Sequence, residues 1–290
     1  MASGLLDHPL AVSLLAIAEA EGVDLRAALN GSDDDLRPTQ IAQPALTLVE
    51  LVLTACLPTH LDLVGVAGHS VGEYAAVSAA GAYSPEVVMR LVIRRGAEMA
   101  AMTEGTMAAV LGLEADAVES SCAAVRATGQ VVVVANLNAP GQTVISGTAA
   151  GVEQAGALAR ERGARRVIQL NVSGAFHSPL MAPAAARFAP AISAAPRGTL
   201  RIPVACNVDG ATVEHADQLP ARLTRQLEAP VRWSDCVAGL VALGAEMLVE
   251  VGPGSVLTGL ARRIDPTVRT AAVGDMAAVA SLAELPTVSA

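Results

Sequence analysis

The 290-residue sequence contains no lysine, so all 19 of its basic residues are arginines, and 28 acidic residues outnumber them. The formal net charge of −9 argues against nucleic acid as a partner, because phosphate backbones attract basic surfaces. Cysteine is also scarce, and no two cysteines have the spacing of a zinc site or a disulfide framework. We therefore expect no zinc site and no disulfide, and four buried thiols, at Cys56, Cys122, Cys206 and Cys236.

Aromatic residues make up only 2% of the chain, and no apolar run approaches the roughly 18 residues that a membrane span needs. Alanine, valine and leucine must therefore fill the core, in one large domain or in a domain with an insertion. The first twenty residues include an apolar patch but lack the basic segment that precedes it in a secretory signal. This pattern predicts an amphipathic helix in a cytoplasmic protein without membrane partners, which we expect to be a monomer.

Strand-like apolar runs alternate with helix-like stretches over residues 1–102 and 172–275. Such alternation predicts an α/β core whose largely parallel sheet is covered on both faces. Residues 103–171 have a different order, β-α-β-β-α-β, which is that of a ferredoxin-like unit inserted into the core. Residues 276–290 have only weak patterning and are left as a tail without an assigned structure.

One serine, Ser70, lies between Gly68 and Gly72 where a predicted buried strand, residues 61–67, gives way to a helix-like pattern. Strand, G-x-S-x-G and helix form the context of a nucleophile elbow, in which the glycines allow a strained turn and close backbone approach. The turn would direct the N–H of Val71 toward the serine hydroxyl, as an oxyanion donor. The alternative is a strand-to-helix turn that merely contains a serine.

A serine nucleophile needs a base, and the chain has five histidines. His69 adjoins Ser70 and should point away from its hydroxyl, so we expect it to pack or hydrogen-bond under the turn. His177 follows a predicted strand and precedes a predicted helix, a position from which a side chain can reach the end of a parallel sheet. We therefore take His177 as the candidate base, with a buried loop histidine as the alternative.

Eight short segments carry more information together than any one of them does alone. They are AQPAL (42–46), GHSVGEYAA (68–76), RRGAEM (94–99), NLNAPGQTVISG (136–147), VSGAFHSPLM (172–181), NVDG (207–210), RQLEAPVRW (225–233) and EVGPGSVLTGL (250–260). In this order they resemble the malonyl-CoA:acyl carrier protein transacylases, a family that includes the acyltransferase domains of polyketide synthases. The matches extend from about residue 40 to residue 262, and therefore cover most of the chain.

The resemblance implies an α/β-hydrolase-like core with a ferredoxin-like insertion, which agrees with the order of elements above. It implies that Ser70 is the acylated nucleophile and His177 its general base and acid. In the family a main-chain carbonyl orients this histidine, and Gln226 stands at the matching position. Arg95 matches the residue that binds the free carboxylate of malonyl, for which a guanidinium can form two parallel hydrogen bonds.

Further positions match the family's acyl pocket. Gln142 and Met99 correspond to residues that line it, although either could be ordinary packing. GAFH (174–177) resembles the signature of malonyl-selective acyltransferases, in which Phe176 would fill the space that a methyl branch needs. The implied substrate is malonyl-CoA and the implied partner is acyl carrier protein, and the implied reaction requires no metal and no bound redox cofactor. Candidate arginines for carrier docking are Arg94, Arg165, Arg166, Arg262 and Arg263.

The sequence departs from the family's pattern at its beginning. Family members open with a strand that ends in a GQGSQ loop, whose glutamine backbone supplies a second oxyanion N–H. Residues 1–36 resemble the helical region that follows that loop, so we expect the first strand and the loop to be missing. Three alternatives therefore stay open beside the transacylase: a serine hydrolase or thioesterase, a non-catalytic carrier-binding protein, and the acyltransferase of a malonate decarboxylase.

Overall fold

A computed structural model describes residues 4–284 and has a mixed α/β architecture. Its helices are α1 (Pro9–Ala20), α2 (Leu25–Asn30), α3 (Thr39–Ala55), α4 (Gly72–Ala79), α5 (Pro85–Ala100), α6 (Ala115–Arg126), α7 (Ala149–Glu161), α8 (Ala182–Ala194), α9 (Leu219–Arg225), α10 (Trp233–Ala242), α11 (Val256–Ile264) and α12 (Met276–Ala283). Its strands are β1 (Val66–Ala67), β2 (Thr106–Leu111), β3 (Val132–Ala139), β4 (Gln142–Gly147), β5 (Arg166–Gln169), β6 (Val204–Ala205), β7 (Thr212–Val213), β8 (Met247–Val251) and β9 (Arg269–Val273).

Parallel pairing occurs at two places. Strand β1 pairs with β6, and β8 pairs with β9. Strand β7 adds to the other edge of β6 in antiparallel orientation. The pairs belong to separate sheets, so the parallel part of the molecule is less continuous than the sequence predicts. The main apolar core lies where helices α1, α3, α4, α5 and α8 pack together.

The segment between α5 and α8 forms a sheet of its own. Its elements follow in the predicted order β-α-β-β-α-β, from β2 to β5. The sheet has the strand order β3-β4-β2-β5, and all of its pairs are antiparallel. Helices α6 and α7 pack against each other and against this sheet, and they share a separate apolar core with it.

Two predicted strands are much shorter in the structure. Of residues 61–67 only Val66 and Ala67 are in β1, and Leu63 is 45% exposed. Of residues 202–208 only Val204 and Ala205 are in β6. The physical reason is that β1 has a strand partner on one edge only among the described residues, so little of its backbone is held in a ladder.

The C-terminal region is more ordered than the sequence predicts. Part of the expected tail forms α12, which buries Val279 and Leu282 in the main core. The rest of that tail, residues 285–290, lies outside the described residues. Over residues 4–284 no helix combines the length and the apolar character that crossing a membrane requires.

Candidate active site

The turn that carries Ser70 connects the end of β1 to the start of α4. Ser70 has a φ of 52°, in the left-handed region that few non-glycine residues adopt. A side chain on Gly68 would lie 2.0 Å from the carbonyl group of Gly72, so the turn closes only with glycine at that position. The hydroxyl of Ser70 is half-buried and lies at the N-terminal end of the helix.

Asn207 fixes this turn from the neighbouring chain segment, since it lies two residues after the end of β6. Its Oδ1 accepts a hydrogen bond of 2.7 Å from the Ser70 N–H, and its Nδ2 donates one of 2.8 Å to the Gly68 carbonyl. Asn207 is fully buried, so both bonds are shielded from water. One side chain therefore satisfies two backbone groups of the strained turn.

His177 lies on the other side of the Ser70 hydroxyl. Its Nε2 is 2.8 Å from Ser70 Oγ, and its Nδ1 is 2.8 Å from the main-chain oxygen of Gln226. A carbonyl oxygen can only accept, so Nδ1 carries the proton and Nε2 is free to accept one from the serine. Like Ser70, His177 has a left-handed backbone, with a φ of 58°.

The electrostatic surroundings keep His177 neutral. Burial and, to a smaller extent, the positive charge of Arg95 together lower the pKa of its imidazole to about 3, against the smaller opposing effect of the hydrogen bond to Gln226. A histidine with such a pKa is deprotonated at neutral pH and can act as a proton acceptor. Next to it, the N–H of Val71 has no acceptor among residues 4–284, which leaves a backbone donor free beside Ser70 Oγ.

Arg95 is brought to the site by the apolar stripe of α5. The helix begins after the N-cap Ser84, and Val88, Leu91, Val92, Arg95 and Met99 follow one another along its buried side. Spacing of three and four residues places them all on the core-facing side. Arg95 is therefore carried into the interior, where none of its surface is exposed.

The guanidinium of Arg95 has neutral hydrogen-bond partners only. Nη2 donates to Ser70 Oγ at 3.2 Å and to Gln226 Oε1 at 3.0 Å, and Nη1 donates to Gln43 Oε1. The group also lies over the ring of Tyr74, 5.6 Å from its centroid. Nε has no acceptor, and no carboxylate lies within ion-pair distance of Arg95, in the part of the chain that the structure describes.

Gln226 links these groups through its side chain as well as its main chain. Its Nε2 donates to Ser70 O at 2.9 Å and to Glu73 Oε2 at 2.5 Å. Glu73 also accepts from the Asn207 N–H at 3.3 Å. Burial raises the pKa of Glu73 to about 7, against the smaller opposing effects of its hydrogen bonds and of Arg95. The site thus rests on a buried network that joins α4, α5 and the loop after α9.

The remaining residues singled out by the sequence lie at varying distances from this network. Met99 is buried on α5, and its sulfur accepts from Gln43 Nε2 at 3.5 Å. Phe176 is half-buried immediately before His177 and packs against the core. Gln142 lies elsewhere, at the first position of β4, where its Oε1 accepts from Arg263 at 2.5 Å. The structure therefore does not bring Gln142 to the hydrogen-bond network of the site.

His69 packs under the turn, as predicted. Its ring lies 5.5 Å from that of Trp233, and its Nε2 donates to Asn138 Oδ1 at 2.9 Å. Burial lowers the pKa of His69. Its ring nitrogen is therefore bonded to Asn138, and it is His177 that contacts the serine hydroxyl.

Three buried polar residues of the network were not assigned a role from the sequence: Gln43, Glu73 and Asn207. Each lies inside one of the segments that carry the family resemblance. A detectable signal exists, because each polar side chain interrupts a run of apolar or small residues that the structure buries. Their partners could not be read from the sequence, since they come from distant segments.

Comparison with known proteins covers nearly the whole chain. The acyl transferase domain family matches residues 12–284. A malonyl CoA-acyl carrier protein transacylase of Bacillus subtilis is 41% identical over 249 residues, which are 84% of this chain and 78% of the relative. The protein of that name from Escherichia coli K12 is 38% identical over 285 residues, covering 96% of this chain and 92% of the relative.

Solved structures give the same result. An acyl carrier protein S-malonyltransferase from Vibrio cholerae superposes with a TM-score of 0.89 at 37% identity, covering 95% of this chain and 92% of that one. A malonyl-transacylase solved in complex with a type II polyketide synthase acyl-carrier protein superposes with a TM-score of 0.90 at 34% identity. That comparison covers 98% of this chain and 94% of the other.

Proposed function

This chain belongs to the acyl transferase family, and on that premise we propose how its residues move a malonyl group from malonyl-CoA to the thiol of acyl carrier protein. The reaction is an acyl transfer of fatty acid or polyketide synthesis. We assign Ser70 as the nucleophile, His177 as the general base and acid, Val71 as an oxyanion donor and Arg95 as the carboxylate-binding residue. No cofactor is assigned to the reaction.

In the first half-reaction, Ser70 Oγ attacks the thioester carbonyl of malonyl-CoA while His177 Nε2 takes the hydroxyl proton. A C–O bond forms, and the tetrahedral oxyanion accepts a hydrogen bond from the Val71 N–H. The C–S bond then breaks, and His177 returns the proton to the departing CoA thiolate. The distance of 2.8 Å between Oγ and Nε2 supports this assignment.

In the second half-reaction, the phosphopantetheine thiol of acyl carrier protein gives its proton to His177 and attacks the malonyl-serine ester. The new C–S bond forms, the ester C–O bond breaks, and Ser70 Oγ recovers the proton. The hydrogen bond from His177 Nδ1 to Gln226 O holds the imidazole in one tautomer throughout. The main-chain carbonyl thus takes the orienting part that a carboxylate has in a Ser-His-Asp triad.

The observation that carries this proposal is the unpaired charge of Arg95. A fully buried guanidinium is costly unless an anion compensates it, and the described residues offer it only neutral partners. The free carboxylate of a malonyl group on Ser70 supplies that anion, because Nη2 is already within 3.2 Å of Oγ. A simple ester hydrolase has no use for a buried cation at this place.

Several finer assignments accompany this proposal. We propose an α/β-hydrolase-like core over residues 1–102 and 172–275 and a ferredoxin-like unit over residues 103–171. Phe176 favours malonyl over methylmalonyl by occupying space near the acyl group. A cytoplasmic location and a monomeric state stay predictions.

The test is the intact mass of the protein after brief mixing with malonyl-CoA, with Ser70→Ala in parallel. We expect a malonyl-sized gain that is absent from the variant and is lost again when acyl carrier protein with its phosphopantetheine arm is added. Hydrolysis without transfer to the carrier would favour the hydrolase instead. No gain in mass at all would contradict the assigned chemistry in this chain.

A further inference from the structure

The buried network of the site contains an acid as well as a cation. Glu73, on α4, is only 1% exposed, and Arg95, on α5, is not exposed at all. Neither forms an ion pair within residues 4–284. The hydrogen bonds that Glu73 Oε2 accepts come from neutral groups, Gln226 Nε2 at 2.5 Å and the Asn207 N–H at 3.3 Å. The site thus holds two groups of opposite charge that do not touch.

A single side-chain amide separates these two groups. Gln226 donates from Nε2 to Glu73, and its Oε1 accepts from Arg95 Nη2 at 3.0 Å. The positive end of the amide dipole therefore faces the carboxylate, and the negative end faces the guanidinium. In this orientation Arg95 stabilises an ionised Glu73 without touching it. The charge of Arg95 accordingly lowers the pKa of Glu73, and the charge of Glu73 raises the pKa of Arg95.

No second cation faces Glu73 within the part of the chain that the structure describes. The titratable or charged groups on the surrounding elements are Arg95 on α5, Tyr74 on α4, Glu50 on α3, Cys206 after β6, Cys236 on α10, His69 after β1 and His177 before α8. Burial raises the pKa of the tyrosine hydroxyl and of both thiols, and it lowers the pKa of both histidines, so these five groups are neutral near pH 7. Arg95 is therefore the one cation that balances Glu73.

A malonyl group on Ser70 changes this balance, and the inference rests on the proposed function in this respect. An ionised Glu73 and Arg95 sum to zero charge, so the malonyl carboxylate adds a second buried anion beside one cation. Buried anions without a cation of their own take up a proton in preference to staying ionised. In the proposed complex the malonyl carboxylate bonds directly to the guanidinium, whereas Glu73 is one amide away. Glu73 is therefore the acid that is neutralised more easily.

We propose that Glu73 takes up one proton from the solvent when malonyl is attached to Ser70 and releases it when malonyl leaves, so that acylation by malonyl-CoA is proton-linked. Glu73 does not touch the substrate and is a positioning residue that acts through Gln226 and Arg95. The protonated carboxyl can carry its proton on Oε1 and keep Oε2 as the acceptor. The hydrogen bond from Gln226 is then retained in both states.

The titration range of Glu73 agrees with this role. Burial raises its pKa to about 7, against the smaller opposing effects of its hydrogen bonds and of Arg95. A second anion at Arg95 offsets part of that opposing effect and raises the pKa further. The malonyl-enzyme then binds the proton more tightly than the free enzyme, so a low pH favours acylation. This advantage is complete below about pH 7 and is lost as the pH rises through the higher pKa of the malonyl-enzyme.

Counting protons tests the inference directly. The protein is mixed with malonyl-CoA at pH 7.5 in weak buffer with a pH-indicator dye, and its acyl content is measured by intact mass. The transfer itself is proton-neutral, because the CoA thiol receives the proton of the Ser70 hydroxyl. With a pKa of about 7 that rises by about one unit, we expect uptake of about half a proton for each malonyl group. Acetyl-CoA brings no carboxylate, so its acyl group should be accompanied by almost no uptake.

Glu73→Gln removes the titrating group but keeps an oxygen that can accept from Gln226 and Asn207. It should form the malonyl-enzyme without taking up a proton. The equilibrium constant of acylation, measured with malonyl-CoA and CoA from pH 6 to pH 8.5, should fall about tenfold in the unaltered protein relative to this variant. The ratio of the two constants cancels the ionisation of the CoA thiol. A role of Glu73 in folding alone would leave this ratio independent of pH.

Glu50→Gln is the matched control. Burial raises the pKa of the Glu50 carboxyl to about 7 as well, but it is burial alone that does so, without an effect of Arg95. The proton uptake and the pH dependence of acylation should therefore be the same in Glu50→Gln as in the unaltered protein. The comparison of malonyl-CoA with acetyl-CoA needs no variant and supports or contradicts the inference independently.

Four results would overturn the inference, and they differ in what else they contradict. A malonyl-sized gain in mass without proton uptake would leave the proposed function intact, whereas no gain in mass would contradict both. Uptake that persists in Glu73→Gln would assign the proton to another group of the site, with His177 as the first candidate. Uptake that is lost in Glu50→Gln would assign the proton to Glu50.

Discussion

The two edges of β1 differ in how completely their backbone groups are paired. On the β6 side, Val66 bonds to Pro203, and Asn207 bonds to both Ser70 and Gly68 just beyond the strand. On the other side a cavity of about 650 Å³ lies between β1 and β8, and β1 has no strand partner on that edge among the described residues. The Ser70 turn is therefore positioned from one side, by side chains, and not by a complete sheet. The comparison teaches that the geometry of the site and the completeness of the sheet can be tested separately.

On the hydrogen-bonded side of β1, the replacement of His177 should have the largest effect. Replacing it with alanine removes the proton acceptor 2.8 Å from Ser70 Oγ, so acylation by malonyl-CoA should slow by about 10²–10⁴-fold. The measurement is the time course of acyl-enzyme mass after rapid quenching. His215→Ala is the matched control, since that histidine is exposed and outside the network, and it should acylate at the normal rate. A normal rate in His177→Ala would contradict the assignment of the base.

Variants of Arg95 test whether the hydrogen-bond network around Ser70 also selects the substrate. Arg95→Ala should lower the rate of malonyl transfer by about 10²-fold or more, because a charged hydrogen-bond pair to the substrate carboxylate is lost. Transfer of acetyl, which has no carboxylate, should change far less. The ratio of the two kcat/KM values, measured with malonyl-CoA and acetyl-CoA, is the decisive quantity.

Arg95→Lys sharpens this test. Lysine keeps the charge but cannot form two parallel hydrogen bonds, so malonyl selectivity should fall to a value between those of the alanine variant and the unaltered protein. Equal losses with malonyl-CoA and acetyl-CoA would show that Arg95 supports the site without recognising the carboxylate.

The contrast between the two edges also separates what the sequence predicts from what it does not. The position of Ser70 in a turn between a strand and a helix could be predicted, because the strand, the glycines and the helix start are adjacent in the chain. The order of elements over residues 103–171 could be predicted because each helix and strand has its own local pattern. The lengths of β1 and β6 could not, since strand length depends on a partner across the sheet.

The hydrogen-bond network could not be predicted from local sequence patterns either. Arg95 contacts Gln43 and Gln226, which lie 52 and 131 residues away along the chain. Such contacts follow from the packing of α3, α5 and the loop after α9, and not from any spacing in the sequence. Gln142 illustrates the same limit, because its motif position resembles the family's acyl pocket but does not reveal its hydrogen bond with Arg263.

Asn207 tests how far the turn depends on the bonded side for its stability. Asn207→Ala leaves the Ser70 N–H and the Gly68 carbonyl buried without partners, which should lower the free energy of unfolding by about 2–4 kcal/mol. Urea unfolding measures this loss. Asn207→Asp keeps the acceptor for Ser70, and at a pH where the new carboxyl is protonated its O–H can donate to the Gly68 carbonyl, so its loss from hydrogen bonding should be smaller there. A loss below about 0.5 kcal/mol in Asn207→Ala would mean that the turn is held by other contacts.

A replacement of Glu50, which lies on α3 and lines the cavity, gives the smallest expected effect. Burial raises the pKa of its carboxyl from 4.5 to about 7, so the folded protein holds a proton that the unfolded chain releases. Stability from this group is therefore lost as the pH rises from about 4.5 through 7. Glu50→Gln cannot lose a proton, so we expect it to unfold with a free energy about 1–3 kcal/mol higher than the unaltered protein at pH 8, relative to their difference at pH 4.5.

Urea unfolding at the two pH values measures this relative change, and the other titrating groups cancel because both proteins share them. Among these shared groups, His69 and His177 have lowered pKa values and give a stability that rises with pH, which is the opposite sign. Glu19→Gln is the matched control, since Glu19 is exposed and its replacement should leave the pH dependence unchanged. If Glu50→Gln showed the same difference from the unaltered protein at both pH values, the carboxyl would already be paired or solvated in solution. The cavity side of β1 would then offer more hydrogen-bond partners than the structure shows, and the contrast with the side that faces β6 would be smaller.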